Sequence, residues 1–257
     1  MRFTLLVAML LSPLPVWAVP AEPQAAAPGN VPGYVAKAIA DPARASDTKD
    51  DARRQMTAVM LFSGVKPGDS VLELDPGAGY WTRVFSGIVG AKGHVYTVWP
   101  NETAKYSAKG FAQWTKLAAT PHYGNVSLLK QPAQTPTAPT KVDVVFTSQN
   151  YHDYHDPFMG PVDIAKFDKA IYDVLKPGGV FLVIDHAAAA GTGLADTNTL
   201  HRIDPATVKQ EVEAAGFVFD GESTALHNPN DPHTKNVFDQ SIRGHTDQFI
   251  YRFRKPK

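Results

Sequence analysis

The sequence predicts an α/β fold, in which helices cover both faces of a mostly parallel sheet. Three short runs are predominantly apolar, at residues 71–74, 142–147 and 180–184, as expected for strands that are buried on both faces. Segments with helical periodicity alternate with these runs, which is the pattern of parallel strands joined by crossover helices. The chain has 257 residues, of which 44% are hydrophobic, so it can bury a full core as one domain.

The charge balance and the lack of cysteine limit the possible functions. The 25 Lys and Arg residues equal the 25 Asp and Glu residues in number, so the chain lacks the basic field that nucleic-acid binding requires. Without cysteine it can have no thiol nucleophile, thiolate metal ligand or disulfide. We therefore expect a small-molecule partner, no nucleic acid and no stable membrane association, while the sequence leaves the oligomeric state open.

The first eighteen residues have the pattern of a secretory signal peptide. Arg2 supplies the positive charge, residues 3–11 form a short apolar segment, and residues 16–18 resemble a cleavage site. The apolar segment is too short to span a bilayer, and a buried N-terminal helix is the alternative interpretation. Residues 19–33 carry four prolines among alanines and are predicted to be a disordered linker. We expect a soluble periplasmic or secreted protein with a single domain at residues 34–257.

Two helices are predicted ahead of the first strand, at residues 34–40 and 47–61. Acidic residues begin the second of these segments and apolar residues follow them, as the polarity of a helix favours. Arg53 and Arg54 lie in this segment. We interpret them as exposed helix charges, and contact with a ligand pocket is the alternative.

The stretch at residues 66–82 combines a strand, a turn and the start of a helix. Gly77 and Gly79 stand in the turn, and apolar residues at helical spacing follow them. Glycine lets a ligand approach the backbone closely, and a helix N-terminus offers free N–H groups. A dinucleotide-binding fingerprint would require a small residue where Thr82 stands, so that interpretation is disfavoured. A purely structural turn is the other alternative.

The remaining elements follow from the same patterns of periodicity and turn residues. Asp204 and Pro205 are a favourable N-cap and first residue of a helix. Further strands are expected at residues 94–99, 126–129, 217–219 and 248–253, and further helices at residues 102–119, 164–175 and 205–215.

A polar run at residues 148–156 follows the strand at 142–147. In open α/β sheets, ligands bind beyond the carboxyl ends of the strands, so this run is placed where chemistry is expected. It contains Asn150, Tyr151 and His152, and His186 ends the next strand at the same edge of the sheet. A polar surface loop is the alternative interpretation.

Together these stretches resemble the class I S-adenosylmethionine (SAM) dependent methyltransferases, from about residue 34 to the C-terminus. An acidic residue on the first strand, followed by alternating glycines, is typical of motif I of that superfamily. Glu73, Gly77 and Gly79 match it, whereas Asp75 stands where the first glycine usually is. Lys-Pro-Gly-Gly at residues 176–179, ahead of an apolar strand, is a second mark.

More closely, the chain resembles a group of exported predicted methyltransferases. Four features carry this resemblance. They are Gly-Tyr-Trp-Thr at 79–82, Asn-Tyr-His-Asp at 150–153, His-Arg-Ile-Asp at 201–204, and the C-terminal segments 235–239, 242–244 and 246–249.

The resemblance implies a Rossmann-like, seven-stranded, mostly parallel sheet with an antiparallel C-terminal edge strand and helices on both faces. It implies SAM as cofactor and methyl transfer to a small-molecule acceptor, with a modified cofactor motif. The acid that binds the ribose hydroxyls is missing from the end of the second strand, where Glu102 would substitute for it or Trp99 would stack on the adenine. The implied cofactor-binding residues are Glu73, Asp75, Gly77, Gly79, Trp99, Glu102 and Asn150.

The resemblance also suggests where the methyl acceptor would be bound. Tyr151 would line the methyl-transfer centre, and His152 or His186 would act as the base, because a neutral imidazole accepts protons near pH 7. His201, Arg202 and Arg243 would hold an anionic or polar acceptor. These roles require no metal ion.

A second hypothesis is a non-catalytic protein with the same fold, which binds a small molecule or a metal ion in the periplasm. Imidazole and carboxylate groups are suitable ligands for zinc and other transition metals. Five such residues are expected at one edge of the sheet: His152, Asp153, His155, His186 and His201.

Overall fold

The computed structural model of the protein describes residues 31–257. The predicted signal peptide at residues 1–18, and all but the last three residues of the predicted linker, lie outside this range and stay predictions. Among the helices at residues 31–257, none has the length and apolar character needed to cross a membrane.

Seven strands form one sheet in the order β3-β2-β1-β4-β5-β7-β6. Strands β1 to β5 pair in parallel, and β7 pairs antiparallel with both β5 and β6. The predicted seven-stranded, mostly parallel sheet is confirmed, and its antiparallel C-terminal edge is the β7–β6 pair. The strands are β1 (Ser70–Leu74), β2 (His94–Pro100), β3 (Val126–Gln131), β4 (Val142–Ser148), β5 (Leu175–His186), β6 (Val218–Ser223) and β7 (Gln248–Arg254).

Helices cover both faces of the sheet, as predicted. One apolar core lies between the sheet and helices α1 to α4, and the other lies between the sheet and α5 and α7. From β1 the chain continues to β2 and β3 on one side of the sheet, and from β4 it continues to β5 on the other side. The carboxyl ends of the adjacent strands β1 and β4 therefore form a topological switch point. The helices are α1 (Gly33–Ile39), α2 (Met56–Ser63), α3 (Tyr80–Val89), α4 (Ala104–Ala118), α5 (Ile164–Val174), α6 (Thr197–Leu200) and α7 (Pro205–Ala214).

The helix predicted at residues 47–61 is wrong in its first half. Only a 3-10 turn forms at Thr48–Asp50, and α2 begins at Met56 because Gln55 has a left-handed backbone, with φ of 49°. The carboxylate of Asp51 accepts hydrogen bonds from Arg44 (2.7 Å) and from the Tyr80 hydroxyl (2.6 Å). These contacts tie the segment to α3 instead of letting it continue as a helix.

Candidate functional site

A cavity of about 220 Å³ opens at the carboxyl ends of β1 and β4, and we call it the first cavity. Glu73 at the end of β1, Asp75 and Gly77 in the loop after it, and Asn150 in the loop after β4 contribute to its wall. Arg54 closes the side that faces the N-terminal segment. Four of the residues predicted to bind a cofactor are therefore brought together here.

The two carboxyl groups of the first cavity are shielded from water. Burial raises the pKa of Glu73 to about 8, and the Thr82 hydroxyl donates a hydrogen bond of 2.5 Å to its Oε2. Burial, with the nearby charge of Asp153, raises the pKa of Asp75 to about 7. At neutral pH Glu73 is therefore mostly protonated, and a cation in the cavity would favour ionisation of both groups.

The backbone of the loop explains its departure from the usual glycine pattern. Asp75 has a φ of 45°, in the left-handed region that aspartate adopts more readily than most residues other than glycine. Gly77 also needs a positive φ, of 56°, and a Cβ there would have open space around it. A Cβ on Gly79 would lie only 1.9 Å from the Trp114 indole nitrogen. Gly79 is thus required by packing against α4 and does not line the cavity.

On the side that faces β2 and β3, packed side chains close the space beside the loop that follows β1. Trp99 is fully buried against Phe111 of α4, and its indole N–H donates to the Thr97 hydroxyl at 2.9 Å. The Glu102 carboxylate accepts a hydrogen bond of 2.9 Å from the Ala133 amide and so joins the loops after β2 and β3. Trp99 and Glu102, both predicted to bind a cofactor, lie outside the first cavity.

A second cavity of about 370 Å³ adjoins the first, and Arg54 and Gln149 line both. His186 at the end of β5 and Arg243 from the segment before β7 also line it. One predicted catalytic residue and one predicted substrate-binding residue therefore meet here. Phe238 contributes an apolar part of the wall.

His186 is a neutral imidazole in this environment. Burial lowers its pKa to about 4, although Asp185 opposes this effect. Its Nδ1 lies 2.8 Å from the Thr246 hydroxyl, which fixes the orientation of the ring. An oriented, neutral imidazole at the wall of a cavity can accept a proton.

Arg54 is half-buried, so its interpretation as an exposed helix charge is wrong. The helix is interrupted at Gln55, and the Arg54 guanidinium lies over the Tyr80 ring, 4.6 Å from the ring centre. Within residues 31–257 it forms no ion pair, and its buried Nε has no hydrogen-bond partner. Its neighbour Arg53 pairs with Asp50 at 2.9 Å.

Tyr151 and Arg202 point away from both cavities. The buried Tyr151 hydroxyl donates to Asp168 of α5 at 2.9 Å and lies 3.2 Å from Glu211 of α7. Arg202 is fully buried, and its guanidinium binds both carboxylate oxygens of Asp231 and two main-chain carbonyls. The predicted roles of these two residues, at the methyl-transfer centre and on an acceptor, do not fit these positions because their polar groups are used by the fold.

His152 also lies outside both cavities, between two carboxylates. Its Nδ1 donates to Asp185 at 2.8 Å, and its Nε2 lies 3.2 Å from Asp153. Burial alone would lower its pKa, but these carboxylates outweigh that effect and raise it to about 10. A protonated imidazole in this position does not suit the predicted role of base, which leaves His186 as the histidine placed for it.

The five residues expected at one rim separate into groups. His201 packs against His152, with ring centres 5.5 Å apart, and its Nδ1 lies 3.9 Å from Asp153. His155 faces Glu211 instead, at 3.2 Å, and His186 faces the second cavity. His201, predicted to hold an acceptor, therefore belongs with His152 and Asp153.

Sequence reasoning missed Gln149, which lies between the two cavities. It has a left-handed backbone, with φ of 64°, and its side-chain amide donates to Gln248 at 3.0 Å. The polar run at residues 148–156 includes it, but nothing in that run distinguishes it from its neighbours. Arg54 had a sequence signal, since contact with a pocket was the alternative interpretation.

Structures of SAM-dependent methyltransferases share this fold. One from Aquifex aeolicus is 21% identical, with 86% of this chain and 97% of that one covered and a TM-score of 0.53. One from Mesorhizobium loti is 14% identical, with 78% of this chain and 97% of that one covered and a TM-score of 0.53. The glycopeptide N-methyltransferase MtfA, complexed with sinefungin, is 16% identical, with 81% of this chain and 87% of that one covered and a TM-score of 0.54.

No protein-family model and no curated protein matches the sequence. The structural similarities establish the fold, which is that of the class I methyltransferases, as predicted.

Proposed function

We propose that this protein transfers a methyl group from SAM to an anionic small molecule. The observation that carries the proposal is the pair of adjoining cavities at the switch point of the sheet, which share Arg54 and Gln149. In open α/β sheets this is where ligands bind. A cofactor in the first cavity and an acceptor in the second would be held next to each other, as transfer between them requires.

The first cavity has the chemistry to hold the amino-acid end of SAM, which carries an ammonium and a sulfonium group. Glu73 and Asp75 would bind these cations in their ionised forms, and Gly77 leaves the backbone accessible. A ligand that also lay between the loops after β2 and β3 would compete with the hydrogen bond from the Ala133 amide to Glu102. When bound, SAM supplies the electrophilic methyl group.

The second cavity has features that suit an acceptor with a carboxylate or phosphate group. Arg54 has no anionic partner within residues 31–257, and Arg243 is exposed at the same cavity. His186 would take the proton that the acceptor loses, since its imidazole is neutral and oriented by Thr246. In this proposal Arg54 takes the role predicted for Arg202.

The proposal is tested first by calorimetric titration of SAM, and separately of S-adenosylhomocysteine, into the purified protein. We expect micromolar binding, which corresponds to about −8 kcal/mol, and at least tenfold weaker binding of SAM by Glu73→Gln. Asp168→Asn is the matched control, because Asp168 is also a buried carboxyl group with its pKa raised to about 8, but bonds to Tyr151 away from the cavity. Absence of binding of either ligand at millimolar concentration would overturn the proposal.

Export to the periplasm or medium stays a prediction from residues 1–18. N-terminal sequencing of the protein recovered from fractionated cells tests it. We expect the mature chain to begin near residue 19, whereas an intact N-terminus in the cytoplasmic fraction would contradict export.

A further inference from the structure

Three potential metal ligands converge outside the two cavities. One ligand atom from each of His152, Asp153 and His201 lies within 4.8 Å of the ligand atoms of the other two. Asp153 is the centre of the group, with its Oδ1 at 3.2 Å from His152 Nε2 and 3.9 Å from His201 Nδ1. His152 and Asp153 begin a 3-10 helix that packs against α6, and His201 follows α6 directly.

His152 is oriented in the way that metal-binding histidines commonly are. Its Nδ1–H donates to the fully buried Asp185 at 2.8 Å, and its main-chain N–H donates to the other oxygen of the same carboxylate, also at 2.8 Å. A carboxylate on one ring nitrogen fixes the imidazole and makes the other nitrogen a better ligand. In this structure that other nitrogen is Nε2, which faces Asp153 and would release its proton when a metal ion binds in its place.

His201 has a backbone conformation that is unusual for its residue type. Its φ is 54°, in the left-handed region that residues other than glycine enter at an energetic cost. That conformation ends α6 and sets the imidazole against His152.

Asp156 provides an independent indication that a cation belongs here. The side chain is 1% exposed, yet within residues 31–257 neither of its carboxylate oxygens meets the geometry of a hydrogen bond. Asp156 directly follows the 3-10 helix that begins with His152 and Asp153, and its main-chain N–H donates to the Asp153 carbonyl. A buried carboxylate without a partner is unfavourable, and a nearby cation would compensate it.

We propose that His152, Asp153 and His201 bind one divalent transition-metal ion of the zinc type, with Asp156 beside them as a further carboxylate. Two imidazoles and a carboxylate are a ligand set that suits zinc, whereas magnesium and calcium prefer oxygen ligands alone. His201 also packs against Phe238, which lines the second cavity, at 5.1 Å between ring centres. A bound ion would therefore hold one wall of that cavity in place.

The test uses the full chain after treatment with a chelator, titrated with Zn²⁺ and followed by calorimetry and thermal denaturation. We expect one ion per chain and a higher melting temperature when the ion is present. Asp153→Asn and His201→Asn should each weaken binding at least tenfold. Asparagine tolerates the left-handed backbone at position 201, so the second variant removes the ligand without adding strain.

His155→Gln is the matched control, because His155 lies in the same 3-10 helix but faces Glu211. It should bind Zn²⁺ as tightly as the unchanged protein. Melting temperatures without metal separate a lost site from a lost fold, since a folded His201→Asn variant that no longer binds supports the proposal. Absence of stoichiometric binding, or equal binding by the His201→Asn variant, would overturn it. The readout involves no SAM, so the outcome is independent of the proposed methyl transfer.

Discussion

The surroundings of Arg202 and Arg54 differ in how completely they satisfy a guanidinium inside the protein. Arg202 is fully buried, and Asp231 and two main-chain carbonyls accept all of its bonds. Arg54 lies over the Tyr80 ring, and within residues 31–257 no carboxylate pairs with it. A buried charge with its own partners contributes to the fold, whereas one without an anion is available to a ligand. The partners of these arginines, rather than their positions in motifs, distinguish the two roles.

Removal of the Arg202 charge should have the largest effect on stability. Arg202→Met leaves the buried Asp231 carboxylate without its cation, so we expect the free energy of unfolding to fall by about 3–5 kcal/mol. Urea denaturation followed by circular dichroism measures it. Arg243→Met, at an exposed position, is the control and should change stability by no more than about 0.5 kcal/mol. Equal effects of the two variants would contradict the structural role of Arg202.

The same contrast applies to buried carboxyl groups, and it predicts a dependence of stability on pH. Asp185 is paired with His152, which outweighs burial and lowers its pKa, whereas burial raises the pKa of Glu73 to about 8. Between pH 4.5 and 8 the unfolded chain ionises at Glu73 while the folded chain keeps the proton. The folded state then binds more protons, so Glu73 lowers stability as pH rises, by on the order of 4 kcal/mol over this range.

Glu73→Gln should remove this loss. The charged groups that face Glu73 are Arg83 and Asp75, and the variant leaves both in place. We expect the variant to gain stability relative to the unchanged protein between pH 5 and pH 8, measured by urea denaturation at both values. Glu213→Gln, at an exposed carboxyl group of α7, should show no such gain. A difference between Glu73→Gln and the unchanged protein that does not vary with pH would be inconsistent with a protonated Glu73.

Removal of the Arg54 charge should have the smallest effect on stability and act mainly on the ligand. Arg54→Met keeps an apolar side chain against Tyr80, so we expect a change of less than about 1 kcal/mol in unfolding free energy. Once an anionic acceptor is identified, its kcat/KM should fall about 10- to 100-fold, and Arg54→Lys should retain more activity than Arg54→Met. Exposed Lys92→Met serves as the charge-matched control. A stability loss as large as that of Arg202→Met would remove the distinction between the two arginines.

The fold could be predicted because its signals are local. Apolar runs marked the buried strands, and Asp204 caps α7 as expected, accepting a hydrogen bond from the Ala206 amide at 2.9 Å. The segment at residues 47–55 could not be predicted, because contacts of Asp51 with Arg44 and Tyr80 decide its conformation. The contact with Tyr80 joins residues 29 positions apart, which a local pattern does not show.

The site could be predicted only as far as the ends of the strands determine it. Glu73 and Asn150 line the first cavity because each lies at or just after the carboxyl end of a strand at the switch point. The next residue, Tyr151, points to the opposite side and bonds to Asp168. A sequence places a residue near an edge of a sheet, but the direction of a side chain in an irregular loop depends on the partners that the fold offers it.

The hydrogen bond from the Ala133 amide to Glu102 has a consequence for the rate of binding. A ligand that lay between the loops after β2 and β3 would compete with this bond, and would then bind only those molecules in which the bond is open. Its apparent dissociation constant is therefore the intrinsic one divided by the open fraction. In stopped-flow experiments the observed association rate should level off at the opening rate as ligand concentration rises, and Glu102→Ala should move that plateau to a higher rate.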